Sequence, residues 1–442
     1  MIKKMKGTED ILPKDSYKWQ FLEDTIRAIF DTYQVKEIRT PIFEAKELFA
    51  RSVGDTTDIV SKEMYDFKDK GDREIVLRPE GTAAIARAYV EHKLFGPEHP
   101  QPLKLYYMGP MFRYERPQAG RQRQFHQVGM EVFGSTNPAI DAEVIALAWD
   151  ILQELEIRNV TLYLNSLGKP EDRLKYRQAL VDYFTPLQDK LSEDSKRRLQ
   201  DNPLRILDSK AKEDQALVAD APNILDFLNE ESQAHFEAVK AMLTALEIPF
   251  KVNPLIVRGL DYYQDTIFEI MVDDASTGSQ STIVGGGRYD GLVEQLGGPQ
   301  TPGFGFGLGM ERLLLLLEQQ AVEIPAEEPT DLFVLSMGDA VNLTALQIVQ
   351  AARQAGYIAE RDYLGRSLKS QFKTADKLQA KLTLTLGEDE LASGKVIVKN
   401  KALNKQEEIA IDDLLDDFEH YYRQLTTDTS TIDKYFNLDN IV

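Results

Sequence analysis

The chain has 442 residues, a formal net charge of −20 and no cysteine, so it has room for two or three domains, and disulfides and thiolate metal sites are excluded. No apolar run of about eighteen residues occurs, and the opening MIKKMKGTEDILPKDSYKWQ lacks the apolar core of a signal peptide, which excludes a membrane span and leads to the expectation of a soluble, cytoplasmic protein. The acidity argues against general nucleic-acid affinity, but it is segregated: residues 104–123 carry Lys104, Arg113, Arg116, Arg121 and Arg123 against Glu115 alone, whereas 406–442 hold ten acids and two bases.

Residues 15–33 have the spacing of an amphipathic helix. The stretch KEIRTPIFEAKEL reads as extended, and its Pro41, which cannot donate to a ladder, suits an edge strand or an interface. A strand near EIVLRPEGT leads into a helix over Ala83–Glu91. KLYYMGPMFR and QFHQVGMEVFG flank the polar loop YERPQAGRQR and predict a long antiparallel hairpin, after which 137–156 is helical. From about Ser166 to Glu247 the chain turns rich in Lys, Glu, Asp, Gln and Leu at helical spacing, which predicts a helical insertion. Strands resume in NPLIVRGLDYYQDTIFEIMV and STIVGGGRYDGLV, the second containing a triple glycine that calls for backbone freedom. In TPGFGFGLGMERLLLLL, Gly303, Gly305, Gly307 and Gly309 bare one face of a strand, Phe304, Phe306 and Leu308 pack the other, and a buried helix begins near Gly309. IPAEEPT reads as a linker. DLFVLSM, a helix ending at Gly356, YIAER, a helix over Ser367–Ala380, LTLTL, KVIVK, EIAI and a last helix from about Asp412 then predict a compact α/β domain. Its middle helix sets Arg366, Lys369, Lys373 and Lys377 on one side and Leu368, Phe372 and Ala375 on the other; the basic side is either a solvated face or a surface for a nucleic-acid backbone.

Three constellations carry chemistry. On the second hairpin strand, Phe125, Gln127, Gly129 and Glu131 share a face opposite Val128, Met130 and Val132, as either a solvent face or the floor of a polar pocket. Arg113, Arg116, Arg121 and Arg123 gather around one loop, and the planar guanidinium fork suits phosphate oxygens. Arg312 adds a cation in the first turn of a helix, where the dipole disfavours it unless an anion is near. No GxxxxGK[ST] loop occurs, and the glycine series lacks the βα context of a dinucleotide fingerprint, so nucleotide binding on an antiparallel sheet is the working reading. RGLDYYQDTIFEI and GGGRYDG add Arg258 and several tyrosines.

MGPMFRYERPQAGRQRQFHQVGMEVFG resembles motif 2 of the class II aminoacyl-tRNA synthetases, GFGFGLGMERLLLLL resembles motif 3, and EIRTPIFE resembles the dimer-forming motif 1. RGLDYYQDTIFE and GGGRYDGLV are similar to the two signatures of the histidyl-tRNA synthetase family, and KGTEDILP and LRPEGTA fit the same family. The resemblance runs from about residue 5 to 422. It implies an α+β protein: a class II antiparallel sheet flanked by helices over 1–324, with the helical insertion at about 166–247. A C-terminal α/β anticodon-binding domain over 331–425 and a tail over 426–442 would follow. The implied reaction activates histidine with ATP to histidyl-adenylate and pyrophosphate, then transfers histidine to the terminal adenosine of tRNA(His). The implied catalytic set is Arg258, Arg113 and Gln127, with Arg113, Arg121 and Arg312 on ATP. Glu80 and Thr82 would lie near the α-ammonium, and Glu131, Tyr263 and Gln127 near the imidazole, with Tyr262, Tyr289 and Arg258 completing the pocket. ATP with Mg²⁺, a homodimer and no resident protein-held metal are implied as well. The rival reading is a non-catalytic regulatory paralogue of ATP phosphoribosyltransferase; the intact Arg258 and the C-terminal domain weigh against it.

Overall fold

The computed structural model describes residues 1–53, 57, 59–258, 260, 262–273, 282–326 and 328–427; the expected tail lies outside them beyond Thr427. The chain forms two units, Met1–Pro325 and Ala326–Val442, each with its own buried apolar cluster.

The first unit contains, in chain order, β1 (Lys36–Glu37), β2 (Phe43–Ala45), β3 (Tyr65–Lys68), β4 (Glu74–Leu77), β5 (Leu103–Phe112) and β6 (Gln124–Phe133). There follow β7 (Val160–Ser166), β8 (Phe250–Val252), β9 (Gln264–Val272), β10 (Thr282–Arg288) and β11 (Gly303–Gly309). Eight of these make one sheet in the order β1-β5-β6-β11-β10-β9-β7-β8. Every ladder from β5 to β7 is antiparallel, and only the edge strands β1 and β8 join parallel. The hairpin expected around YERPQAGRQR is continuous from Leu103↔Phe133 to Phe112↔Gln124. β2, β4 and β3 form a separate small antiparallel sheet. Pro41 lies in the connection between β1 and β2, outside either strand.

Strand alternation sorts the sheet into two faces. Val128, Met130 and Val132 of β6, Phe304, Phe306 and Leu308 of β11, and Phe268 and Ile270 of β9 enter the main core. Helices Pro13–Thr32, Pro138–Glu154, Glu230–Ala245 and Met310–Gln319 cover that face with buried aliphatic side chains. The opposite face holds the polar residues taken up below.

Helices Pro170–Phe184, Glu193–Asp201, Lys212–Val218 and Glu230–Ala245 occupy the segment read as a helical insertion. A buried chain of charges fastens both of its ends to the sheet. Arg288, 2% exposed, binds the fully buried Asp141 of the Pro138–Glu154 helix, and His235 Nε2 lies 2.7 Å from the same carboxylate. Arg288 also reaches Asp290 at 3.4 Å, Asp290 lies 3.7 Å from Lys169, and Lys169 pairs with Asp265 at 2.9 Å. Ser232 Oγ then donates to Asp265 at 2.7 Å, one helical turn from His235. Buried ions need such partners, because each alone would cost several kcal/mol of desolvation, on the order of the whole stability of a domain.

In the second unit β12 (Leu332–Ser336), β13 (Ala359–Arg361), β14 (Leu382–Leu386), β15 (Lys395–Asn400) and β16 (Lys405–Ala410) form a sheet in the order β13-β12-β14-β15-β16. β13, β12 and β14 are parallel, and β15 and β16 turn back antiparallel. Two expectations change here. The last helix is two, Ile411–Asp416 and Phe418–Thr426, because Asp417 leaves helical geometry and its carboxylate caps the second by accepting from His420 N. In Leu368–Lys377 the buried positions are Gln371 and Ala375, and Phe372 is 43% exposed. Gln371 fixes that rotation: its amide bonds the Ser336 N–H at 2.9 Å, the Ser336 carbonyl at 2.8 Å and the Arg366 carbonyl at 2.7 Å.

Candidate active site

The polar face of the sheet is built on absent side chains. A Cβ at Gly303 would meet the Tyr289 ring, one at Gly305 the Glu131 carboxylate, and one at Gly307 the Gln127 amide. On β10 a Cβ at Gly285 would strike the Arg258 guanidinium, and one at Gly287 would lie 2.7 Å from Ile267 Cγ2 and the Thr266 carbonyl. None of Gly285, Gly286 and Gly287 is among the positive-φ residues. The triple glycine therefore does not serve backbone freedom, as its sequence suggested; it serves close approach within an extended strand. Tyr107 of β5, which sequence reasoning passed over, is accommodated the same way against Gly81 and Gly129.

Two groups of side chains occupy this floor. The first is deeply buried. Glu80 accepts from the Thr82 N–H at 2.7 Å and the Ala83 N–H at 2.9 Å, so its carboxylate caps the Thr82–Glu91 helix, a placement the dipole favours. Thr82 Oγ1 donates to Glu131 at 2.6 Å, and the Tyr289 hydroxyl donates to the other Glu131 oxygen. Glu131 is fully buried; burial pushes its carboxyl up to about 8, against the lowering effect of its bonds from Thr82 and Tyr289. Burial likewise raises Glu80 and holds Tyr262, Tyr263 and Tyr289 above the ordinary phenol range. Tyr262 and Tyr289 meet edge to face at 5.5 Å, and Tyr263 lies under Arg258.

The second group lines a cavity of about 450 Å³. Arg113, Arg121, Arg258, Arg312 and Gln127 all face it, together with Gly307 and Gly309. Of the glycine face, then, only this end borders the cavity, while Gly303 and Gly305 lie beneath Tyr289 and Glu131. Arg113 is held by the Pro79 carbonyl at 2.8 Å and stacks over Phe125. Arg121 pairs with Glu115 at 2.8 Å. Arg258 pairs with Glu269, which Thr282 Oγ1 also binds at 2.9 Å; burial opposes the Arg258 charge, and Glu269 more than offsets it, leaving the guanidinium above its usual range. Glu269 was not singled out in the sequence, where nothing marks which arginine a distant acid will meet; Glu115 was named there only as the lone acid among the loop arginines.

Arg312 differs from the others. Its guanidinium donates to the Thr282 carbonyl and, at 3.4 Å, to that of Gly120. Among the described residues no carboxylate pairs with it, and burial, with Arg121 and Arg113 nearby, pushes it down to about 10. Gln127 Oε1 and Arg258 Nε are buried without a hydrogen-bond partner among the described residues. Each unpaired buried polar atom costs about 1–3 kcal/mol. The cavity is thus arranged for an anion with several acceptor oxygens, next to a buried carboxyl suited to a ligand with N–H donors.

An antiparallel sheet bearing arginines on its polar face, joined in sequence to a separate α/β unit, is the architecture of a class II aminoacyl-tRNA synthetase. The Histidyl-tRNA synthetase family matches residues 7–313 and the Anticodon binding domain family residues 331–420. A curated "Histidine--tRNA ligase" of Streptococcus pyogenes serotype M5 (strain Manfredo) is 58% identical over 424 residues, covering 96% of this chain and 99% of that protein. Apo histidyl-tRNA synthetase of S. aureus superposes with a TM-score of 0.80 at 45% identity, over 95% of this chain and 100% of that one. The histidyl-tRNA synthetase of Nostoc sp. PCC 7120, 22% identical with a TM-score of 0.64, shares the fold over 95% of this chain and 100% of that one. The chain belongs to the histidyl-tRNA synthetase family.

The raised Glu131 carboxyl has a consequence for stability. Unfolded, it titrates near 4.5; folded, near 8, so across that window the native state keeps a proton that the unfolded state has lost. Its contribution to stability therefore falls as pH rises from about 4.5 to 8. Glu131→Gln cannot ionise, and its free energy of unfolding in urea should lack this decline. Wild type should lose ground to the variant steadily over that range; parallel pH profiles would contradict the assignment.

Proposed function

We infer that the chain is an aminoacyl-tRNA synthetase that joins histidine to tRNA(His). Family membership carries this reading, supported by the pairing of an arginine-lined cavity with the buried Glu131 cluster. In the first step a carboxylate oxygen of histidine attacks the α-phosphorus of ATP, the bond to the bridging β-phosphate oxygen breaks, and pyrophosphate leaves. In the second the terminal adenosine hydroxyl of the tRNA attacks the histidyl carbonyl, and AMP leaves.

Residue roles follow from charge and position. Arg113 and Arg258 serve the α-phosphate, where negative charge builds up in the transition state and fixed cations are most effective. Both are pre-positioned, Arg113 by the Pro79 carbonyl and Phe125, Arg258 by Glu269 and Tyr263. Arg121 and Arg312 take the outer phosphates. Gln127 borders the cavity and orients the reacting carboxylate by donating from its side-chain NH₂. Glu80 and Thr82 receive the α-ammonium. Glu131, with Tyr262, Tyr263 and Tyr289 around it, accepts from the imidazole N–H alongside its bonds from Thr82 and Tyr289; an apolar side chain there would offer it no donor.

Among the described residues no group of three or more His, Asp or Glu could hold a metal ion. Of the carboxylates lining the cavity, Glu115, Glu269 and Glu311 are bound by Arg121, Arg258 and His126 respectively. Mg²⁺ is proposed to enter with the nucleotide, where it would neutralise phosphate charge and assist the pyrophosphate leaving group. A homodimer is proposed through the motif 1 stretch, where Ile42 and Phe43 are 43% and 59% exposed. No helix among the described residues is long and apolar enough to cross a membrane, and the proposed location is the cytoplasm, where translation takes place. We propose the domain limits 1–324 and 331–425 for the catalytic and anticodon-binding parts.

ATP–pyrophosphate exchange with each of the twenty amino acids tests the first step. Exchange should occur with histidine alone and fall by about 100-fold or more in Arg258→Ala, the scale for removing one transition-state donor; no exchange from folded wild type would refute the reading. For the C-terminal unit, the side of Leu368–Lys377 carrying Lys369 and Lys373 is proposed to contact the tRNA backbone. Lys369→Glu with Lys373→Glu should weaken tRNA binding and flatten its salt dependence while leaving exchange intact; unchanged tRNA affinity would reject that surface.

A further inference from the structure

A fifth arginine faces the nucleotide cavity, and it does not come from the sheet. Arg205 sits in the short turn Pro203–Ile206 of the helical insertion. Its side chain is 24% exposed. A second cavity of about 420 Å³ adjoins the first, walled by Arg173 and Arg177 of the insertion. Arg205, Arg258 and Leu260 are the residues the two cavities share, so two guanidinium groups mark the boundary between them.

The surroundings of Arg205 leave it able to change partners. Its guanidinium bonds Asp208 at 3.0 Å, but Asp208 also has Arg198 at 3.9 Å, and Arg198 is fastened to the Arg205 carbonyl at 3.0 Å. If Arg205 swings to an anion, Asp208 keeps a cation. The other arginines of the second cavity are committed to the protein: Arg173 to the Tyr263 carbonyl at 2.7 Å, and Arg177 to the Gln200 and Asp201 carbonyls at 3.2 Å. The insertion is also fixed in place at its base, by Lys169 on Asp265 and Asp290 and by Ser232 and His235 on Asp265 and Asp141.

Resting on the functional reading above, we propose that Arg205 is a phosphate ligand at this boundary, by which the helical insertion enters the active site. The chemistry is one guanidinium fork on a phosphate oxyanion. That oxyanion belongs either to ATP or to the terminal phosphodiesters of the tRNA, which must reach the same α-phosphate region for transfer.

The test uses the full chain with Arg205→Ala, Arg205→Lys and Asp208→Asn, in histidine-dependent ATP–pyrophosphate exchange without tRNA and in aminoacylation of tRNA(His). With ATP as the source, Arg205→Ala raises the KM for ATP in exchange by about tenfold or more, the usual scale for a lost hydrogen bond to a charged group. With tRNA as the source, exchange is unchanged and the KM for tRNA rises by a similar factor. Arg205→Lys, which keeps the charge without the fork, falls between, and Asp208→Asn leaves both reactions near wild type. Wild-type kinetics from Arg205→Ala in both assays would overturn the proposal. So would an equal loss in Asp208→Asn, which would reduce Arg205 to a structural partner. Absence of exchange in wild type itself would instead remove the functional reading beneath it.

Discussion

Side chains can lie flat on a β-sheet only where the strands beneath them carry none. β10 and β11 meet that condition side by side: Gly285 opposes Gly307 and Gly287 opposes Gly305 in the ladder. Onto this bare patch fold Arg258, Gln127, Glu131 and Tyr289, each occupying the space that a Cβ would fill. The same strands turn Phe304, Phe306 and Leu308 into the opposite core, so the apolar face supplies the burial that a glycine-rich strand otherwise lacks. The site thus backs directly onto the core.

The electrostatic arrangement is built on this floor. The buried Arg312 has a lowered proton affinity, first because burial desolvates its charge and then because Arg121 and Arg113 lie nearby. Arg258 and Arg121 are oriented by their ion pairs with Glu269 and Glu115. In the proposed reaction a polyphosphate supplies the remaining negative charge. The buried Asp141–Arg288 pair on the other side of β10 precedes Tyr289 in the chain, so the element that holds Glu131 is also the one tied to the insertion through Asp290 and Lys169.

Much of this was legible in the sequence, because the informative pattern was local. Alternation in QFHQVGMEVFG and GFGFGLG separates core from floor residue by residue, and every residue expected at the site is found either in the buried cluster or around the cavity. The sequence also exposed the α/β order of the second unit. What it could not carry were pairings between distant residues: Arg258 with Glu269, Arg288 with Asp141, Arg205 with the nucleotide cavity. The reason for the triple glycine was misjudged because freedom of φ and closeness of a neighbour demand the same residue. The apolar side of Leu368, Phe372 and Ala375 in the sequence did not show that Phe372 would be exposed, because the three hydrogen bonds of Gln371 decide which side of the helix turns inward.

The account stands most directly on the claim that the bare patch exists to seat Arg258. A methyl group at Gly286 would strike the Gly305 carbonyl and damage the sheet, whereas one at Gly285 meets only the far end of the Arg258 side chain, which can be displaced. The measurement is histidine-dependent ATP–pyrophosphate exchange by Gly285→Ala, with its thermal unfolding recorded alongside. The expected result is near-wild-type unfolding with exchange reduced on the order of 100-fold, as for loss of a transition-state donor. Wild-type exchange from the folded variant would contradict the account.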